Sequence, residues 1–139
     1  MVIDPGTEKG ARVAARLRDE LVAWLVTVAA DGTPVPTPVW FLWDGETILV
    51  YSQPDKPKLR HIETNPRVSL AMRTDEDGDA LVVITGEAAV DESAPPPDQL
   101  PAYLEKYRHG IARLGSDPER FAGSYSIAVR IRPTRLRAW

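Results

Sequence analysis

The chain has 139 residues, with 17 Lys and Arg, 20 Asp and Glu, a net charge of -3 and no cysteine. This length predicts one domain, spanning residues 1–139, with room for a real hydrophobic core. The acidic balance argues against a general nucleic-acid binder, and the lack of cysteine excludes disulfides, thiolate nucleophiles and Cys-based metal sites. Residues 1–10 lack an apolar stretch and no apolar run reaches membrane-spanning length, so we expect a cytoplasmic protein without a membrane partner.

The first element predicted is a helix over residues 7–21. Val13, Leu17 and Leu21 recur at i, i+4 and i+8, which places them on one face of a helix. Three runs rich in strand-forming residues follow, separated by Asp-Gly turn signals. We expect these runs to pair in sequence as an antiparallel meander; they cover residues 23–30, 34–43 and 47–52.

Three prolines occupy alternate positions of the second run, at Pro34, Pro36 and Pro38. Proline has no backbone N–H, so a strand with this pattern cannot pair fully on both sides. One interpretation is a protected sheet edge. The other is a stiff backbone wall against which a flat ring could lie.

The second half of the chain alternates strand and helix signals. Gly86 interrupts a strongly apolar run, as at a β-bulge or a sharp bend in a barrel. Short strands, Gly-containing turns and few helices indicate a mainly β protein with flanking helices, built as a small antiparallel barrel. The predicted strands cover residues 67–72, 80–90 and 126–132, and the predicted helices begin at Pro57, Leu100 and Pro118.

A basic stretch follows the third strand run and carries most of the functional information. Lys56, Lys58 and Arg60 surround the start of the helix that Pro57 opens. The free N–H groups of a first helical turn carry partial positive charge, and these side chains add to it. The stretch is therefore either a phosphate-binding site or a solvated basic turn.

Self-contained catalytic chemistry is not evident in the sequence. His61 and His109 are too far apart for a metal-binding signature, and no nucleophile elbow, Walker motif or dinucleotide glycine motif is present. Acidic pairs such as Glu76 and Asp77 lie in a polar loop. If the protein is an enzyme, we expect the reactive group to come from a bound cofactor.

These motifs together resemble the pyridoxamine 5′-phosphate oxidase-like family, and within it the actinobacterial branch of probable coenzyme F420-dependent enzymes. The resemblance extends from about residue 21 to residue 139. It implies a split β-barrel, an FMN-binding-like antiparallel barrel of six to seven strands. The motifs that carry it are Val39-Trp40-Phe41-Leu42-Trp43-Asp44-Gly45, the stretch from Tyr51 to Arg60, Asn65-Pro66-Arg67-Val68-Ser69-Leu70 and Thr85-Gly86-Glu87-Ala88.

The resemblance also implies where a cofactor would bind. Lys56 and Lys58 match positions that bind the cofactor phosphate, and Arg60 either joins them or pairs with a surface acid. Family members are homodimers with the cofactor in the dimer groove, which Trp139 of the partner copy could help close. The flavin or deazaflavin ring would be lined by Val50, Tyr51 and Ser52 at the end of the third strand run and by Pro36, Thr37, Pro38 and Val39 on its other edge.

By this resemblance, the expected function is hydride transfer from reduced F420 to an electron-poor small molecule. A proton would come from solvent, or from Tyr51 or Ser52, and no other catalytic residue is assigned. Three alternatives stay open: an FMN-dependent oxidoreductase of the same fold, a non-catalytic carrier of flavin or deazaflavin, and a protein-interaction module that binds no cofactor. No metal site is expected.

Overall fold

A computed structural model describes all 139 residues as one curled, seven-stranded antiparallel sheet with four flanking helices. No helix has the length and apolar character needed to cross a membrane. A short 3₁₀ helix, Pro97–Gln99, precedes the third α-helix. The helices are α1 (Glu8–Asp19), α2 (Pro57–Thr64), α3 (Pro101–Arg113) and α4 (Pro118–Ser124), and the strands are β1 (Ala23–Val28), β2 (Pro34–Val39), β3 (Leu42–Trp43), β4 (Ile48–Ser52), β5 (Arg67–Ala71), β6 (Val82–Val90) and β7 (Ile127–Ala138).

The strand order is β2-β1-β5-β6-β7-β4-β3. β2 and β3 are separated by two residues in the chain, yet they form opposite edges of the sheet. The sheet must therefore curl until its two edges approach one another. This is the mainly β, half-barrel architecture expected of a split β-barrel.

Both pairings of the predicted meander are present, β1 with β2 and β3 with β4, but the three runs do not form one continuous meander. β4 pairs on its other side with β7, which lies 75 residues or more further along the chain, and β2 and β3 lie at opposite edges of the sheet. The predicted second strand is in fact two strands, because the chain turns at Trp40 and Phe41. Side chains of α3 hold this corner: Phe41 donates its N–H to the Tyr107 hydroxyl at 2.8 Å, and the Phe41 carbonyl accepts from Lys106 at 3.0 Å.

β2 is an edge strand, as the alternating prolines predict. Backbone N–H groups alternate between the two sides of a strand. The three missing N–H groups therefore all lie on one side, and the pairing side keeps the donors of Val35, Thr37 and Val39. The same arrangement prevents another strand from adding to this edge.

The predicted irregularity at Gly86 is a register shift in the pairing of β6 with β7, between Thr85 and Gly86. A Cβ atom on Gly86 would lie 2.6 Å from the carbonyl oxygen of Arg132. Only glycine permits this close approach of the two backbones. The bulge lets both strands continue beyond it.

Two hydrophobic cores lie on opposite faces of β4. Ile48 and Val50 point into the barrel, where they join a core of 19 buried residues. Leu49 and Tyr51 point outward into a second core that α3 and α4 cover. β4 is therefore buried along its whole length, because the segment between β6 and β7 folds back over its outer face.

Candidate functional site

A cavity of about 160 Å³ lies beside the second core, at the end of β4. Four residues of the predicted cofactor set line it: Pro38 and Val39 from β2, Tyr51 from β4 and Lys58 from α2. The fold therefore brings three separate elements of the predicted site to one place. Five further residues complete the lining: Trp40, Tyr103, Leu114, Phe121 and Tyr125.

The cavity wall consists largely of aromatic rings stacked on one another. Phe121 lies between Trp40, at a centroid distance of 5.6 Å, and Tyr125, at 4.4 Å. Tyr51 meets Tyr103 edge-on at 5.0 Å. Such packing fixes the rings and leaves an apolar space suited to another flat ring.

The wall also depends on Gly110 in α3. A Cβ atom there would lie 2.9 Å from the Trp40 ring. Trp40 can therefore lie against α3, stacked on Tyr107 with centroids 4.6 Å apart and planes within 7°. The position of Trp40, and with it one side of the cavity, is set by the absence of a side chain at residue 110.

The basic residues of α2 have no acidic partner in the chain. Lys56, Lys58 and Arg60 form no ion pair and no side-chain hydrogen bond, so the expected alternative of a surface ion pair for Arg60 is not observed. Five other arginines do form ion pairs: Arg16, Arg18, Arg73, Arg130 and Arg132.

The N-terminus of α2 is also open. α1 and α4 are capped by the side chains of Thr7 and Asp117, whereas α2, like α3, has no side-chain cap; its N-cap residue is Lys56 and Pro57 lies in its first turn. An uncapped helix start with unpaired cations favours binding of an anion. The residues present therefore fit a phosphate group.

Lys58 is the cation closest to the aromatic cavity. It is half-buried, and its pKa is lowered first by this burial and then by the charge of Lys56. Lys56 and Arg60 are exposed and line a different groove, which runs between α2 and the end of β6. The helix thus presents its cations to two separate surfaces.

The hydroxyls of Tyr51 and Ser52 both donate to backbone carbonyls, Tyr51 to Pro95 and Ser52 to Gln53. Burial is the main cause that raises the pKa of Tyr51 to about 12. The side chain of Val50 points into the barrel, away from the cavity. Of these three residues, Tyr51 alone reaches the cavity with its side chain.

The remaining predicted residues, on the edge strand β2 and at the end of β7, do not line the cavity. Pro36 is exposed and Thr37 half-buried on β2, neither of them lining the cavity. Trp139 follows β7, is 60% exposed and has the Arg137 guanidinium 5.7 Å from its ring centroid. Within one chain, Trp139 is not brought to the cavity.

The pyridoxamine 5′-phosphate oxidase family model matches residues 10–139. The chain belongs to this family. The match confirms the resemblance seen in the motifs, and the curled sheet is the fold that it implied. No curated protein matches the chain significantly.

Solved structures extend the comparison of this pyridoxamine 5′-phosphate oxidase family member. An F420 reductase is 25% identical, with a TM-score of 0.66 over 88% of this chain and 94% of its own. A conserved hypothetical protein from Mycobacterium tuberculosis is 23% identical, with a TM-score of 0.75 over 96% and 84%. The heme storage protein HutZ from Vibrio cholerae is 19% identical, with a TM-score of 0.64 over 99% and 95%. The last two likenesses show the fold alone.

Sequence reasoning missed the aromatic residues that build most of the cavity in this family member. The segment around α3 was expected to be helical, but no residue of α3 or α4 was assigned to a site. Tyr103, Tyr107 and Ile111 recur at i, i+4 and i+8, which marks a buried helix face. That pattern indicates burial, and what it packs against becomes visible only in the fold.

Proposed function

We propose that this protein binds coenzyme F420 where β2, β4 and α2 meet, and that it is a reductase acting on an electron-poor small molecule. The observation that carries the proposal is the aromatic cavity at the end of β4, with Lys58 in its wall and Lys56 and Arg60 on the adjoining groove of α2, none of the three having an acidic partner in the chain. The 25% identical F420 reductase of the same fold adds support.

Each group of residues has a defined task in this proposal. Lys56 and Lys58, with Arg60 beside them, hold the phosphate by charge-assisted contacts. Pro36, Thr37, Pro38 and Val39 present a stiff strand edge to the ring, and Val50, Tyr51 and Ser52 form the strand end that faces it. Bound F420 supplies the hydride, while the protein orients the acceptor and excludes water.

The proton that completes the reduction comes from solvent in this proposal. Tyr51 and Ser52 were the two candidate donors, but each hydroxyl is already bonded to a backbone carbonyl. The raised pKa of Tyr51, about 12, also makes it a weak acid near neutral pH. We therefore assign neither residue a catalytic role.

A second copy of the chain completes the site in this proposal. Ligand pockets usually enclose about 300–1,000 Å³, more than the 160 Å³ that one chain encloses here. The outward face of β1 is uncovered, with Trp24 49% exposed opposite Pro38. We propose a homodimer that buries this face, with the cofactor in the groove and Trp139 of the partner copy able to reach it.

Titration of the purified protein with F420, and separately with FMN, tests the proposal. Tight binding of F420 and weak binding of FMN are expected, followed by oxidation of reduced F420 when an acceptor is supplied. A preference for FMN would indicate an FMN-dependent oxidoreductase, and F420 binding without turnover across a broad acceptor panel would indicate a carrier. Binding of neither would overturn the proposal and leave a protein-interaction module.

A further inference from the structure

Lys106 on α3 is a half-buried cation that the proposed function does not use. Its ammonium donates to the carbonyl of Leu17 at 2.9 Å and to the carbonyl of Phe41 at 3.0 Å. The ring centroids of Phe41 and Tyr107 lie 3.8 Å and 5.4 Å from the same nitrogen. An ammonium has three hydrogens, and the third has no hydrogen-bond partner in the chain. The amine is therefore held in place with one position on nitrogen free.

A groove of about 490 Å³ lies beside this amine, between α1, β3 and α3. Small-molecule sites usually enclose about 300–1,000 Å³ and are mostly apolar with a few polar groups. The apolar part of this groove comes from Leu17, Leu21, Leu42 and Trp43, and Leu21 is 45% exposed. The groove shares no residue with the aromatic cavity or with the predicted cofactor set. It is therefore a second candidate site.

The charged groups around Lys106 come from α1, its C-terminal end and α3. Burial is the main cause that lowers the pKa of Lys106 to about 8, and the charges of Asp19 and Glu20 oppose this effect. The guanidinium of Arg18 bonds to Asp19, and the exposed Glu105 lies on the groove. Near neutral pH a sizeable fraction of the Lys106 amine is therefore neutral.

A neutral lysine amine beside an apolar surface is a nucleophile toward carbonyl compounds. The two hydrogens of the neutral Lys106 amine can stay on their two carbonyl partners, so its lone pair takes the free position on nitrogen. A half-buried amine requires an unhindered carbonyl carbon, and an aldehyde has one. An acidic ligand would meet Asp19 and Glu105, whereas an alkyl chain would contact Leu21 and Trp43.

We propose that this groove binds small apolar aldehydes and that Lys106 captures them reversibly as an imine. The nitrogen lone pair forms a bond to the carbonyl carbon, and the carbon–oxygen bond then breaks. Both amine hydrogens leave with the oxygen as water, so no oxidant or reductant is consumed. The neutral imine has no N–H for the carbonyls of Leu17 and Phe41, which favours hydrolysis and makes the capture reversible.

Reductive trapping tests the proposal. The purified protein is incubated with hexanal and cyanoborohydride near neutral pH, and labelling of its four lysines, Lys9, Lys56, Lys58 and Lys106, is followed by peptide mapping with mass spectrometry. Lys106 is expected to be labelled about tenfold or more faster than Lys9, at a rate that saturates with hexanal. 1-Hexanol, which cannot form an imine, is expected to compete. Labelling led by another lysine, or a rate at Lys106 that does not saturate, would overturn the proposal.

Two neighbouring variants test whether the groove selects the alkyl chain. Leu21→Gln is expected to raise the hexanal concentration that half-saturates labelling of Lys106 several-fold, because the chain loses an apolar contact. Val22→Gln is the matched control, since Val22 is 46% exposed but does not line the groove. Lys106→Met is expected to lose the saturable labelling. Equal half-saturation in the Leu21→Gln and Val22→Gln proteins would contradict the assignment of the groove.

A pH series separates Lys106 from an ordinary lysine. At each pH the labelling rate of Lys106 is divided by that of free Nα-acetyl-lysine, whose amine has a pKa of about 10.4. This ratio is expected to fall as the pH rises from about 8 to about 10.5, because the reference amine gains its lone pair only there. A ratio that stays constant would show that Lys106 reacts as an ordinary amine and would overturn the proposal.

Discussion

Tyr107 and Phe41 are joined through both backbone groups of Phe41. The Tyr107 hydroxyl accepts from the Phe41 N–H at 2.8 Å, and its own hydrogen can reach the Phe41 carbonyl at 2.9 Å or the Leu21 carbonyl at 2.8 Å. This contact fixes the corner at which the chain passes from one edge of the sheet to the other. Tyr107→Phe is therefore expected to lower the free energy of unfolding by about 1–3 kcal/mol, because it leaves a buried N–H unpaired.

Urea unfolding measures this effect, with Tyr103→Phe as the matched control. The Tyr103 hydroxyl has no partner to lose, so its removal should leave the stability of the ligand-free protein unchanged or raise it. The two variants remove the same atom from neighbouring turns of α3. Equal losses of stability in both variants would contradict the prediction that the Tyr107 hydroxyl stabilises the fold by hydrogen bonding and the Tyr103 hydroxyl does not.

Lys106 makes the stability of the protein depend on pH above neutrality. Its ammonium donates to the carbonyls of Leu17 and Phe41, and burial is the main cause that lowers its pKa to about 8, against an opposing effect of Asp19 and Glu20. The unfolded chain keeps this proton up to about 10.5, the ordinary value. Between these two values the unfolded state binds more protons, so the contribution of Lys106 to stability rises with pH.

Lys106→Met removes the titrating group and keeps an unbranched side chain that is one atom shorter. The difference in the free energy of unfolding between wild type and variant should therefore shift in favour of the wild type as the pH rises from about 8 to about 10.5. The neutral amine still has two hydrogens for the two carbonyls. Urea unfolding at a series of pH values provides the measurement, and parallel profiles for the two proteins would contradict the prediction.

The sequence predicts those features of the fold that depend on neighbouring residues, and it does not predict those that depend on contacts between distant parts of the chain. The prolines of β2 identify an edge strand because each lacks a donor, whatever the strand pairs with. The pairing of β4 with β3 is local, but its pairing with β7 has no such signal, since the two strands are far apart in the chain. The turn at Trp40 and Phe41 was missed for the same reason, because Tyr107 and Lys106 hold it from another element.

The same distinction applies to the candidate site. Pro38, Val39, Tyr51 and Lys58 were predicted from motifs and line one cavity. Tyr103 was not predicted, because its place in the cavity wall depends on how α3 packs against Tyr51 of β4. A local pattern can place a residue on a buried helix face, but it cannot show that a cavity lies beside it.

Gly86→Ala is expected to destabilise the protein through a backbone clash. The added Cβ atom would lie 2.6 Å from the Arg132 carbonyl oxygen and 2.9 Å from Cγ2 of Ile131. Strands β6 and β7 would have to separate at the bulge, so we expect a loss of about 1–3 kcal/mol or more by urea unfolding. Gly123→Ala in α4 is the control, because nothing lies within 4 Å of its Cβ position and alanine favours a helix. A Gly86→Ala protein as stable as the Gly123→Ala control would contradict the close approach of the Gly86 and Arg132 backbones.

Lys56→Ala combined with Lys58→Ala is expected to weaken F420 binding strongly. Each charge-assisted contact that is lost should reduce the binding free energy by about 1.5–3 kcal/mol, which is about tenfold or more in affinity. Fluorescence titration measures the affinity, and circular dichroism verifies the fold. Lys9→Ala removes an exposed positive charge elsewhere and should leave the affinity unchanged. Unchanged affinity in the double variant would remove the basis for a phosphate site on α2.

Trp24→Glu is expected to separate the proposed homodimer. Trp24 projects outward from β1, 49% exposed, and lies opposite the exposed Pro38 of the edge strand. A carboxylate in the centre of a buried apolar contact would be desolvated without a partner, so the copies should dissociate. Sedimentation measures the mass of the particle, and F420 affinity should fall with it because the groove is lost. Val2→Glu, a change at another exposed apolar residue outside the sheet, should affect neither quantity. A Trp24→Glu protein that stays dimeric, or a wild type that is monomeric, would exclude this face as the interface.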